Sequence, residues 1–163
     1  MTELETIIGC VRDSLVNGGV SAVIVQNPPG NKKRHTRPIV AVGLKAGALN
    51  VGSVEYLGED RFSRREIYGR RMELTLGLGL WVPKDSENSH ETCLELFSQI
   101  VGALGELPES VRVKELVCGE TMFDPSADMF RCDGELKVSA YLIAEKEDDG
   151  VFLDFKLKGV ITN

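Results

Sequence analysis

Apolar positions along the chain follow two rhythms, and the order of those rhythms lays out a fold. Leu4, Ile7, Ile8, Val11 and Leu15 recur at the helical period, which predicts an amphipathic helix over residues 2–17. Thr2 and Glu5 have the spacing of a capping box at its start, and Asn17-Gly18-Gly19 supplies the stop. A short apolar strand is expected at 20–26, closed by Asn27-Pro28-Pro29-Gly30, and a second at 38–44. The clearest strand covers 66–82, where Met72, Leu74, Leu76, Leu78, Leu80 and Val82 alternate with Glu73, Thr75, Gly77, Gly79 and Trp81. Helical spacing returns in Cys93, Leu96, Phe97, Ile100, Val101 and Leu104, after a capping region at 86–89 and before Gly105 and Pro108. Strands are then expected at 111–120 and 129–145, separated by a turn in Asp124-Pro125-Ser126-Ala127-Asp128. In the second of these, Leu136, Val138, Ala140 and Leu142 share one face. Asp149-Gly150 marks a hairpin turn, and Val151, Leu153, Phe155 and Leu157 carry a last strand toward residue 163.

Residues 45–65 follow neither rhythm. Gly47, Gly52 and Gly58 interrupt them, and Glu59-Asp60-Arg61-Phe62-Ser63-Arg64-Arg65 is dense in mixed charge, so an irregular, functional connection is expected there. Strands joined directly by turns imply an antiparallel or mixed sheet. The expected class is α+β: a mixed or antiparallel sheet with two helices packed on one face and a long arm between strands. The 163 residues fit one such domain, spanning 1–163.

Charge and cysteine content remove several function classes. Nineteen Lys and Arg against twenty-five Asp and Glu leave a net charge of −6, which argues against a general nucleic-acid binder but leaves room for a local basic patch. No apolar run approaches the length of a membrane span, and the acidic, amphipathic start lacks the layout of a signal peptide, so cytoplasmic folding is expected. Cys10, Cys93, Cys118 and Cys132 form no C-x-x-C pair, and His35 and His90 stand at no zinc-ligand spacing from two cysteines. The expected state is therefore small, buried or half-buried free thiols, with no metal and no cofactor.

Catalytic constellations are sparse. No G-x-S-x-G and no G-x-x-x-x-G-K-[ST] occurs, and Gly77-Leu78-Gly79 lies inside a strand pattern, where a phosphate loop has no helix N-terminus to use. His90 and Cys93 are three apart on one helix, yet Cys93 opens the core stripe and reads as packing; Cys118 stands beside a glycine, where strand alternation explains it at least as well as reactivity does. Asp124, Asp128 and Asp133 lack the spacing of a calcium loop and read as turn chemistry.

Two charged segments remain. Lys32, Lys33, Arg34, His35 and Arg37 form a basic loop suited either to solvent or to an acidic or phosphate-bearing partner. Residues 59–71 mix Arg61, Arg64, Arg65, Arg70 and Arg71 with Phe62, Ile67 and Tyr68, residue types enriched where proteins meet, which favours an arm that interlocks subunits. The chain is thus expected to be non-enzymatic.

The whole order of elements resembles the tail terminator proteins of long-tailed bacteriophages and prophages, the lambda type included. The stretches that carry the likeness are TELETIIGCVRDSL, PIVAVGL, MELTLGLGLWVPKD, CLELFSQIVGAL and FRCDGELKVSAYLIAE. The resemblance implies a virion part, assembled in the bacterial host cytoplasm, located at the tail or neck. It forms a homo-hexameric ring on the last ring of the tail tube, stops elongation and presents a docking surface to the head connector. Its implied partners are copies of itself, the tail tube protein and head–tail connector or neck proteins, with DNA passing through the lumen without specific binding. On that basis Arg61, Phe62, Arg64, Arg65, Tyr68, Arg70 and Arg71 are candidates for subunit contact, and Lys32, Lys33, Arg34 and Arg37 for contact with tube or connector. Two alternatives stand beside it: another neck, head–tail joining or baseplate protein, and a small cysteine-dependent enzyme using Cys118 or Cys93.

Overall fold

The computed structural model of the chain describes residues 3–30, 35–84 and 89–145. Helix α1 (Glu3–Asn17) is followed by β1 (Val23–Val25), β2 (Ile39–Glu59) and β3 (Glu66–Pro83). Helix α2 (Ser89–Leu104), β4 (Val111–Asp124) and β5 (Met129–Glu145) complete the described elements. The five strands form one sheet in the order β1-β2-β3-β5-β4. The β1–β2 pair is parallel and the other pairs are antiparallel, which makes this a mixed sheet and an α+β fold.

Alternation builds the core. Met72, Leu74, Leu76, Leu78, Leu80 and Val82 of β3 all point to one face and are buried there, beside Leu136, Val138 and Ala140 of β5. Against this face α1 presses Ile7, Val11 and Leu15, and α2 presses Cys93, Leu96, Phe97 and Ile100, so both helices cover the same side of the sheet. The two helices meet closely at their C-terminal ends. A Cβ on Gly18 would lie 2.4 Å from that of Ala103, and the buried Ser14 hydroxyl donates to the Ala103 carbonyl at 2.6 Å.

The opposite face carries a smaller cluster of Ile39, Ala41, Trp81 and Met129. Trp81 occupies a position of the polar rhythm, yet it is buried because its ring lies over Gly79, where a Cβ would come within 2.4 Å of the ring. The Arg131 guanidinium covers the ring at 5.3 Å from its centroid.

Several boundaries differ from the sequence expectation. The first strand, expected over 20–26, is reduced to Val23–Val25, and β4 continues past 120 to Asp124. The larger correction concerns 45–65, expected to be irregular: β2 continues unbroken through Glu59 and pairs with β3, leaving only residues 60–65 as a turn. Register shifts between Leu44 and Leu49, Val51 and Val54, and Tyr56 and Gly58 insert extra residues into β2. Each shift breaks the period-two rhythm by which a strand is recognised. The expected cap at Thr2, the turn at Asp149-Gly150 and the last strand from Val151 lie outside the described residues.

Candidate assembly interface

A strand rises about 3.3 Å per residue, so the 21 residues of β2 have a contour length of about 70 Å. Helix α2, at about 1.5 Å for each of its 16 residues, is only about 24 Å long. Two helices of this length cannot cover such a sheet, and from Val51 to Leu57 every residue of β2 is exposed. The uncovered part is an arm of β2 and β3, with β5 as a third strand paired as far as Ile67 opposite Glu145. Helix-side residues of the arm include Val54 opposite Arg70 and Tyr56 opposite Tyr68, whose rings meet edge to face at 5.5 Å.

Asp60 organises the turn at the tip. Its carboxylate accepts from the Phe62 amide at 3.1 Å and the Ser63 hydroxyl at 2.8 Å, and its carbonyl accepts from the Arg64 amide at 2.8 Å. The Asp60 amide donates back to the Arg65 carbonyl at 2.9 Å, and Arg64 adopts a φ of 53°. An aspartate that closes its own turn fixes the loop without any tertiary packing. The result holds Phe62 99% exposed, between the exposed Arg61, Arg64 and Arg65.

The candidate contact residues therefore separate into groups. Arg61, Phe62, Arg64 and Arg65 stand together at the tip. Tyr68 and Arg70 are half-buried within β3, and the Tyr68 hydroxyl donates to Glu66 at 2.8 Å, which raises its pKa. Arg71 lies on the other face, exposed and ion-paired with Glu73 at 2.9 Å. Of the basic loop, Lys32, Lys33 and Arg34 lie outside the described residues, while Arg37 is exposed at the entry to β2. Sequence reasoning missed Val54, Tyr56 and Leu57, exposed apolar residues on the β2 side of the arm. Their signal was the pairing of two tyrosines across one hairpin, visible only once the strand is extended through 59.

On the face away from the helices, the sheet forms an open hollow of about 800 Å³, floored by Gly43, Gly77 and Gly79. Lys45 of β2 reaches across β3 to Glu135 of β5, and this ammonium holds the Glu135 carboxyl below its ordinary pKa. Arg131 pairs with Asp133 at 2.7 Å and lies 3.9 Å from Asp124. The Asp124 carboxyl is also lowered, chiefly by its hydrogen bond from the Ser126 hydroxyl at 2.6 Å.

The thiols are not alike. Cys93 is buried and its pKa is raised by that burial, so its sulfur is held protonated within the core. Cys132 is also buried, and burial together with the neighbouring Cys118 sulfur, 3.8 Å away, pushes it up to about 12. Cys118 is exposed on the edge strand β4, a departure from the expected buried or half-buried state. The side chain of His90 lies outside the described residues. Among the described residues, no group of three or more His, Cys, Asp or Glu side chains is placed to hold a metal ion. No described helix is long and apolar enough to cross a membrane.

No family model matches the chain, and no curated protein matches it. Among solved structures, the chain is similar to the sheath/tube terminator of an extracellular contractile injection system, PVC, in its extended state. The TM-score is 0.45 and the identity 12%, over 100% of this chain and 65% of the other, so the chain spans less than two thirds of that protein's length.

Proposed function

We propose that this protein is a structural, non-enzymatic component of a phage-like particle, a tail terminator that forms a six-membered ring on the end of the tail tube. The observation that carries this reading is the arm: a hairpin that, among the described residues, neither helix covers, and that exposes Val51, Val54, Tyr56, Leu57 and Phe62. A long hairpin left without cover by the described residues presents apolar surface to a partner, because exposed apolar patches of this kind mark contact surfaces. A second feature agrees with it. Since β1 pairs only with Ile39 to Ala41, the outer edge of β2 beyond that point has no strand partner among the described residues. Such an edge is an invitation to another chain.

In this reading the arm makes a heterologous contact that closes after a fixed rotation, as a ring requires. The ring stops tube growth and offers a docking face to the head connector, with Arg37 and the neighbouring basic loop as a contact to tube or connector. DNA crosses the lumen without specific binding, in keeping with a net charge of −6. The reading rests on the arm and on the order of elements in the sequence, not on the likeness of fold.

Negative-stain electron microscopy of the purified protein, at high concentration and with tail tube added, tests it. Six-fold rings with a central hole, and tube ends capped by them, are the expected images. Single particles under both conditions would overturn the proposal, and binding to a connector without binding to the tube would move the protein to another neck position.

A further inference from the structure

We infer that the arm tip of one copy docks into the cleft between the C-terminal ends of α1 and α2 of a second copy; this rests on the proposed reading of the arm as a subunit contact. The cleft has a volume of about 650 Å³ and is lined by Asp13, Ser14, Gly18, Gly102, Ala103 and Glu106, among others. That size falls within the range of about 300–1,000 Å³ typical of sites that receive a compact group. Its floor is made of small residues because the helices approach closely at Gly18 and Ala103. A Cβ on Gly102 would meet nothing within 4 Å, so the space above it is open. Val16 and Val101, next in sequence to the lining residues Asn17 and Gly102, are both 60% exposed.

The charge of the cleft identifies its occupant. Asp13 and Glu106 are exposed on its walls, and neither helix has a basic residue in its last turn. A helix C-terminus carries about half a negative charge, and here two such ends add to two carboxylates with no cation in either last turn. The matching element elsewhere in the molecule is the tip, where a fully exposed phenyl ring stands between the exposed Arg61, Arg64 and Arg65. Phenylalanine and arginine are both enriched where proteins meet. The Asp60 turn holds that anchor ready, so little ordering is lost on docking. Phe62 enters above Gly102 and covers Val16 and Val101, while the arginines face Asp13 and Glu106. Tip and cleft are different surfaces, so the contact is heterologous and each copy both gives and receives an arm.

Charge exchange tests the assignment by sedimentation velocity over a concentration series. Reversing the tip (Arg61→Glu with Arg64→Glu) or the cleft (Asp13→Arg with Glu106→Arg) alone is expected to weaken self-association by about tenfold or more. Combining the four substitutions in one chain is expected to restore it to within a few-fold of the native value. All four positions are exposed, and circular dichroism of each variant confirms its fold. If the tip reversal dissociates the protein and the cleft reversal does not, the arm remains a contact and the cleft assignment is overturned. If neither reversal changes association, or if the native protein stays monomeric at the highest attainable concentration, both readings fall.

Discussion

Strand β3 passes through two regions built from the same backbone and different neighbours. Between Met72 and Val82 one side of the strand lies under α1 and α2, and every second residue is buried. Between Ile67 and Arg71 the strand continues in unbroken register with β5, yet only Gly69 is buried, beneath the side chain of Leu57. Pairing with β5 is therefore continuous through both regions, and what differs is apolar cover, together with the register shifts against β2. The base is held by burial, at roughly 1.5–3 kcal/mol for each fully buried aliphatic side chain. The arm is held by strand pairing and by the Asp60 turn, and its apolar side chains stay partly exposed. This division separates the part of the chain that folds from the part that is poised to bind.

The sharpest way to break the comparison is to truncate one side chain in each region. Leu76→Ala removes a fully buried residue of the base and is expected to cost about 2–5 kcal/mol in urea unfolding. Phe62→Ala removes a larger side chain but is expected to change stability by no more than about 0.5 kcal/mol, because the ring touches solvent. Its effect belongs in self-association instead. Equal losses of stability at the two positions would mean that the arm is part of the core, and the distinction would fail.

A finer test uses two glycines on the outer face of the base. At Gly79 an added Cβ would collide with the Trp81 ring, so Gly79→Val is expected to cost about 1–3 kcal/mol and to red-shift the fluorescence of the single tryptophan. At Gly77 the nearest atom is the Gly43 carbonyl at 3.9 Å, an ordinary contact, so Gly77→Val is expected to be near neutral. Similar penalties at both positions would show that the hollow is closed in solution, and that the outer face is not the open surface described above.

The base was legible in the sequence for the same reason that it is stable. Alternate burial leaves alternate hydrophobicity, so the strands at 66–82 and 129–145 and the core stripe of α2 could be read directly. The arm half of β2 was not legible, because a strand exposed on both faces carries no alternation and its three register shifts displace what remains. Trp81 was hidden differently: its burial depends on Gly79 two positions earlier and on Arg131 from another strand. The tip residues stood out by composition, but the surface that fits them did not. Asp13 and Glu106 are distant in sequence and line one cleft because Gly18 lets the helices approach.

The smallest expected effect comes from the exposed ion pairs of the base, and its sign follows from the direction of each shift. Lys45 lowers the Glu135 carboxyl from its ordinary value of 4.5, so this pair contributes stability above that value and loses it as pH falls through the folded pKa. Asp124, lowered from 3.8, acts in the same direction. Glu115 raises the Lys137 ammonium from 10.5, at a distance of 2.5 Å, so that pair stabilises below 10.5 and its contribution disappears as pH rises through the folded pKa. Stability is thus expected to be flat from about pH 5 to pH 8 and to decline on both sides, the alkaline decline beginning with the thiols of Cys93 and Cys132, which the fold holds protonated. Glu135→Gln should make the acid decline shallower, and Lys137→Met should do the same to the alkaline one, in thermal melts across pH. High salt should mimic both variants, since exposed pairs are screened. The arm enters only through assembly: salt that screens the tip charges should dissociate the oligomer while the base stays folded. Dissociation and unfolding at the same salt concentration would show that the two regions are one cooperative unit.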